Sequence, residues 1–205
     1  MFQRLSIAVS AAALLVATSS SVSAAPITLD FEGLVDSAFV TNNFAGLTFS
    51  NTVCLVASGS GGTLSEADFP PFSGMTVVGD RGGAMTISFA SPVDSFGGYF
   101  TYAQFLTLEA FNAGNVSLGS VSGVFSGFGN YVSTNNPPNE FLSLSAPGIA
   151  KVTITALPGG DSFTLDNFQY VPSAPGPPGP VPEPATLSLL LTGLGGTMWR
   201  VRRRG

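Results

Sequence analysis

The side chains able to do chemistry in this 205-residue chain are almost all carboxylates. There is no histidine, and Cys54 is the single cysteine. Histidine-dependent triads, histidine-liganded zinc or haem and histidine acid–base catalysis are therefore excluded. So are an intramolecular disulfide framework, thiolate zinc clusters and CxxC redox chemistry. What remains is oxygen chemistry, either a carboxylate pair of the glycosidase kind or a hard cation held by carboxylates and carbonyls. Asp30 and Glu32 are expected on one face of the first strand, about 7 Å apart. Far along the chain, Phe163 and Leu165 share one parity while Phe168 and Tyr170 share the other. That break at Asp166-Asn167 predicts a β-bulge, which would re-aim a side chain. Glu32 and Asp166, with Asp30 as a third, are the candidate calcium ligands; the plainer alternative is a set of solvated surface acids. Nothing places a second deep carboxylate beside them, and bulky polar residues to orient a substrate are scarce. The chain is accordingly read as a non-enzyme with no catalytic residue, a carboxylate-only hydrolase being the remaining alternative.

The elements that would position these acids are short strands. Ile27, Leu29 and Phe31 alternate with Thr28, Asp30 and Glu32, and the same period recurs in 85–89 and 150–156. Segments 47–49, 96–102, 105–111, 116–118, 141–144 and 163–170 complete about nine strands, separated by Gly, Ser, Asn and Pro clusters. This pattern predicts an all-β fold, an antiparallel β-sandwich over residues 25–171 with one core. Cys54 is expected as a small buried hydrophobe in a strand. The glycine-rich stretches 59–62 and 119–129 lack the setting and lysine of a phosphate cradle and read as loops.

Residues 25–171 hold eleven acids against two bases, Arg81 and Lys151, a net charge of −9. No basic groove can form, so nucleic acid is not a partner; cations, neutral polysaccharide and protein remain. In segment 66–72, Phe69 and Phe72 are expected to cap the core while Glu66 and Asp68 stay in water. The one tryptophan, Trp199, lies outside this region. An aromatic platform for sugar would therefore fall to Tyr99, Tyr102, Tyr131 or Tyr170, which in strands more often pack.

The two ends do not belong to the fold. Arg4, an apolar stretch from Ile7 to Thr18 and the small residues before Ala24 predict a signal peptide over 1–24, cleaved after Ala24. From 172 to 184 seven of thirteen residues are proline, which predicts an extended spacer of about 40 Å. Residues 185–199 carry no charge and would make a helix of about 23 Å, short for a ~30 Å hydrocarbon core. Trp199 at the interface and snorkelling Arg200, Arg202, Arg203 and Arg204 would extend it as a transmembrane helix. The basic tail, 200–205, would stay cytoplasmic and the rest outside.

Val181-Pro182-Glu183-Pro184, followed by a short apolar segment and a terminal arginine cluster, resembles the PEP-CTERM sorting signal of exported proteins of Gram-negative bacteria. The resemblance covers residues 181–204. It implies recognition of Pro182, Glu183 and Pro184 by an exosortase-type membrane enzyme, removal of the tail, and delivery from an inner-membrane intermediate to the cell surface or extracellular matrix. The strand frame also resembles the jelly-roll domains common among such proteins, in some of which, when they bind carbohydrate, calcium ties the first strand to the last. The reading that follows is a structural or adhesive component of the polysaccharide matrix, with a calcium-stabilised carbohydrate-binding module as the alternative.

Overall fold

The computed structural model describes residues 24–174. The expected signal peptide before Ala24, the expected spacer beyond Ala174, the Pro-Glu-Pro triplet, the apolar segment and the arginine tail lie outside the described residues.

Nine strands form one antiparallel sheet: β1 (Ile27–Leu29), β2 (Leu47–Ser50), β3 (Thr52–Val56), β4 (Thr76–Arg81), β5 (Met85–Tyr102), β6 (Thr107–Phe111), β7 (Ser117–Ser122), β8 (Glu140–Thr155) and β9 (Gly160–Pro172). Their order is β3-β4-β9-β5-β8-β6-β7, with β1 added on β9 and β2 on β5. The two longest strands organise everything else. The first part of β5 lies between β2 and the end of β8, while its second part lies between β9 and the start of β8. Where the parts meet, Pro92 on β5 and Pro147 on β8 fall within register shifts, positions where a strand tolerates a missing N–H. The core-facing parity changes there too: Met85, Ile87 and Phe89 are buried before the irregularity, Phe96, Phe100 and Tyr102 after it. Apolar side chains from both parts of the sheet meet in one cluster, with Phe89 packing on Phe168 at 6.3 Å between ring centres.

Against the sequence-based expectation, segments 85–89 and 96–102 are one strand, as are 141–144 and 150–156. In compensation, β4 carries no period-two signal, and β3 is foreshadowed only by Cys54, which is fully buried in it. Five successive residues of β4 are buried, because it lies between β3 and β9 and is packed on both faces. Its residues, Thr76-Val-Val-Gly-Asp80, give neither an alternation nor a sustained apolar run, the two patterns by which strands are read. Gly119 lies in β7 and not in a loop. The first strand is shorter than expected: it ends at Leu29, and Phe31 turns into the core with φ 60. Asp30 and Glu32 are therefore not neighbours on a strand face. At the other end Pro172, expected as the first spacer residue, is the last residue of β9 and pairs with Val93.

Candidate functional site

Strand alternation divides the side chains of β9, β5 and the start of β8 into two sets. Phe96, Phe100, Leu142, Phe163 and Leu165 enter the core. Ser95, Gly97, Tyr99, Thr101, Phe141, Ser143, Ser145, Thr164 and Asp166 have the opposite parity and form the outer face. One end of that face is closed. Thr101, Thr164 and Asp166 are only 0%, 5% and 1% exposed, because the connection between β3 and β4, residues 57–75, lies over this end, with Asn139 between Thr101 and Pro70 O.

Carboxylates hold this cover down. Asp166 accepts hydrogen bonds from Ser73 N at 2.8 Å and Asn167 N at 2.6 Å, while Ser73 Oγ donates to Asn167 Oδ1 at 3.0 Å. Glu32 Oε1 accepts from Met75 N and Thr76 N at 2.8 and 2.9 Å, and its Oε2 from Thr76 Oγ1 at 3.2 Å. Gly74, at φ 57, passes so close that a Cβ there would collide with Glu32 Oε1. Asp36 Oδ1 takes Val56 N at 2.8 Å and Thr63 Oγ1 at 3.0 Å; Glu66 takes Gly59 N at 3.1 Å. Asp68 receives the Ser133 hydroxyl and, through its carbonyl, Val132 N. Hydrogen bonds to an ionised acceptor are about twice as strong as neutral ones, and they add to the burial of Ala57 and Leu64 in seating the segment.

This arrangement shows in the titration of the acids. Burial pushes the Asp166 carboxyl above the usual aspartate range; hydrogen bonds from Ser73, Asn167 and Phe72 pull it back, and the charge of Glu32 adds to the rise. For Asp36, burial also acts upward, but the bonds from Val56, Thr63 and Ser37 outweigh it and the group lies below its ordinary value. Burial, helped by the charges of Asp36 and Glu32, pushes the Cys54 thiol up to about 11, which leaves it an inert core residue.

Two of the three acids singled out in the sequence thus converge on one segment, residues 72–76. The bulge is where the broken alternation placed it: β9 slips between Asp166 and Gln169 against Tyr99 and Gly97, with Asn167 at φ 44. Asp30 stands apart, its Oδ1 accepting Glu32 N at 3.2 Å. Among the described residues no three of His, Cys, Asp and Glu come together as a metal-holding group, and the oxygens of Glu32 and Asp166 face N–H and hydroxyl donors.

The expectation for segment 66–72 is corrected as well. Phe69 stacks on Tyr131 at 5.8 Å and Phe72 on Tyr99 at 3.4 Å, both near parallel, and neither ring enters the core. Glu66 and Asp68 are engaged, not free in water. Of the four tyrosines, Tyr102 is buried, its hydroxyl donating to Glu140 at 2.6 Å and accepting Phe125 N at 3.0 Å. Tyr170 packs against the core rings Phe89 and Phe168.

The other end of the outer face is open. A trough of ≈ 240 Å³ runs over Gly97, with Ser95, Ser143, Ser145, Gln169 and Phe141 around it. Phe141 is 46% exposed and leans on Tyr99 at 5.1 Å. Phe72, Tyr99 and Phe141 therefore make a continuous aromatic row, one end of it set by the acid-held cover. Sequence reading missed this row because its members come from a loop and two strands; the only local signal was the exposed parity of Tyr99 and Phe141. It also missed Asp80 and Asn130, both buried. Asp80 accepts from Ser162 N, Ser162 Oγ and Phe163 N, and Asn130 bridges Tyr102 N and Phe100 O.

Residues 180–204 match the PEP-CTERM protein-sorting motif. No curated protein matches the chain by sequence. In structure the chain is similar to a DUF4465 family protein from Bacteroides caccae (TM-score 0.43, 11% identity, 73% of this chain and 100% of that chain). It is also similar to the K1 cleaved adhesin domain of Lys-gingipain from Porphyromonas gingivalis (0.39, 11%, 74% and 99%). A third likeness is to a family 6 carbohydrate-binding module (0.34, 12%, 74% and 95%). The motif is the address of an exported, surface-sorted protein, and the fold that carries it is all-β and antiparallel.

Proposed function

We propose that this chain is a non-catalytic structural or adhesive component of the extracellular polysaccharide matrix. It would be exported by its signal peptide, held at the inner membrane by residues 185–199, and released to the cell surface of a Gram-negative bacterium when an exosortase-type enzyme processes the tail. The exported body would be a jelly-roll β-sandwich of residues 25–171, followed by the proline-rich spacer. The observation that carries this reading is the sorting motif at 180–204. Pro182, Glu183 and Pro184 would be the recognised triplet, and Arg200, Arg202, Arg203 and Arg204 the stop against transfer. The domain's chemistry supports a structural part: Asp30, Glu32, Asp36, Glu66, Asp80, Glu140 and Asp166 each accept a main-chain N–H, an arrangement that holds loops in place. Intact-mass analysis of surface-recovered protein tests the proposal. A mass lacking residues 1–24 and the material after the Pro-Glu-Pro region is expected; a full-length C-terminus on the surface form would overturn it.

A second reading, calcium at Glu32 and Asp166, has one observation in its favour. The two carboxylates sit on the same segment near enough for the charge of Glu32 to raise Asp166, a repulsion that a cation would relieve. With Asp30 turned away, carbonyls and water would have to supply the remaining ligands. A melting temperature that rises with calcium and falls with chelator is the expected result; an unchanged melt removes the cation.

A further inference from the structure

We propose that the trough over Gly97 is a binding site for a neutral glycan chain. This rests on the matrix-component reading above and gives it a molecular contact. None of the residues around the trough carries a charge, although the surrounding domain has a net charge of −9. Three serine hydroxyls and the Gln169 amide can each donate and accept, as an uncharged polyol requires. A charged polymer would find no charged side chain there, and an anionic one would be repelled by the domain as a whole.

The exposed ring of the site is Phe141, with Pro26, Phe96, Tyr170 and Val171 completing the apolar lining. A Cβ on Gly97 would lie 3.0 Å from Phe141 Cζ and 2.8 Å from Ser143 Cβ, so glycine is what lets the Phe141 ring lie across the strand. Behind it, Tyr99 at 5.1 Å and Phe72 stacked on Tyr99 brace the ring. A ring already immobilised loses little entropy when a sugar face settles on it. Two other occupants fit worse. An extended peptide adds to an open sheet edge, whereas β5 here is paired on both sides by β9 and β8. A purely apolar ligand would strip water from the hydroxyls and the amide without replacing their hydrogen bonds.

The test uses the mature protein recovered from the cell surface, with its mass determined first. Affinity electrophoresis is run in gels containing galactomannan, mixed-linkage β-glucan or alginate. Retardation is expected in at least one of the neutral gels and not in alginate. Phe141→Ala, which removes an exposed ring, and Ser145→Trp, which fills the trough, should each weaken retardation about tenfold or more. Val116→Ala, on an exposed residue elsewhere, should leave it unchanged. Retardation that survives both trough substitutions, retardation in alginate alone, or none in either neutral gel would overturn the site. Such a failure in protein with a processed tail would leave the sorting reading standing; an unprocessed tail with intact retardation would do the reverse.

Discussion

At the Asp166 end of the outer sheet face, polar side chains are buried beneath a long connection; at the Gly97 end, serines and an aromatic ring stand in solvent. Both ends belong to the same strands, and both are built from residues of outward parity. The difference lies in what approaches them. Glu32, Asp36 and Asp166 offer strong acceptors to N–H groups of residues 56–76, so that segment can bury its backbone polar groups without unpaired donors. Nothing comparable reaches over Gly97 among the described residues, and the face stays available. Glu32, Asp36 and Asp166 are therefore less surface charges than fasteners for loop backbone.

Substitutions can break this comparison, and the largest effect is expected at the closed end. Asp166→Ala leaves Ser73 N and Asn167 N without their acceptor in a buried position. It should lower the unfolding free energy by about 3 kcal/mol in urea titrations and speed proteolysis within 57–75. A loss no larger than that of an exposed residue would mean that the cover is held by something else. Glu32→Gln keeps one acceptor oxygen but removes the charge; about 1 kcal/mol is expected, with cleavage sites confined to residues 72–76.

Acid titration sharpens the same point through its sign. The folded-state pKa of Asp166 lies above the ordinary 3.8. Between 3.8 and that higher value the native state binds the proton first, so this group makes stability rise as pH falls. Asp36 lies below 3.8; its contribution is complete above 3.8 and is lost as pH falls through the folded value. Urea midpoints measured against pH should lose the upper slope in Asp166→Asn and the lower one in Asp36→Asn. Identical profiles in both variants would count against the assignment. The smallest change is expected at the open end, where Phe141→Ala should cost within about 0.5 to 1 kcal/mol. A loss as large as that of Asp166→Ala would show the ring to be a packing element and not part of a free surface.

Much of the strand framework was readable. Alternation located the apolar faces of the start of β5, the end of β8 and both parts of β9, segments 47–49 and 105–111 were marked as strands, and the parity break at Asp166-Asn167 marked the bulge. What alternation could not show was β4, buried on both faces, and the continuity of β5 through Pro92. A proline looks like an ending in sequence, yet it is accommodated where the ladder is irregular. Of the candidate site, Glu32 and Asp166 were singled out as calcium ligands, and both reach the segment 73–76. Their partners were not, because main-chain N–H groups of residues 73–76 carry no sequence signature. Asp30 was expected beside Glu32 on a strand face, but the chain leaves the strand at Leu29 to bury Phe31.

Residue order alone excluded histidine and thiol chemistry and was enough for the all-β class and the sorting motif at 180–204, because composition, short-period patterning and contiguous motifs are local properties of the chain. Only the tertiary structure decided which acids act together, that a long connection is fastened across half of a sheet face, and that Phe72, Tyr99 and Phe141 form one row beside an uncharged trough. Those depend on contacts between residues as far apart as Ser73 and Asp166. Such contacts are set by how the core closes, not by what stands next to what in the chain.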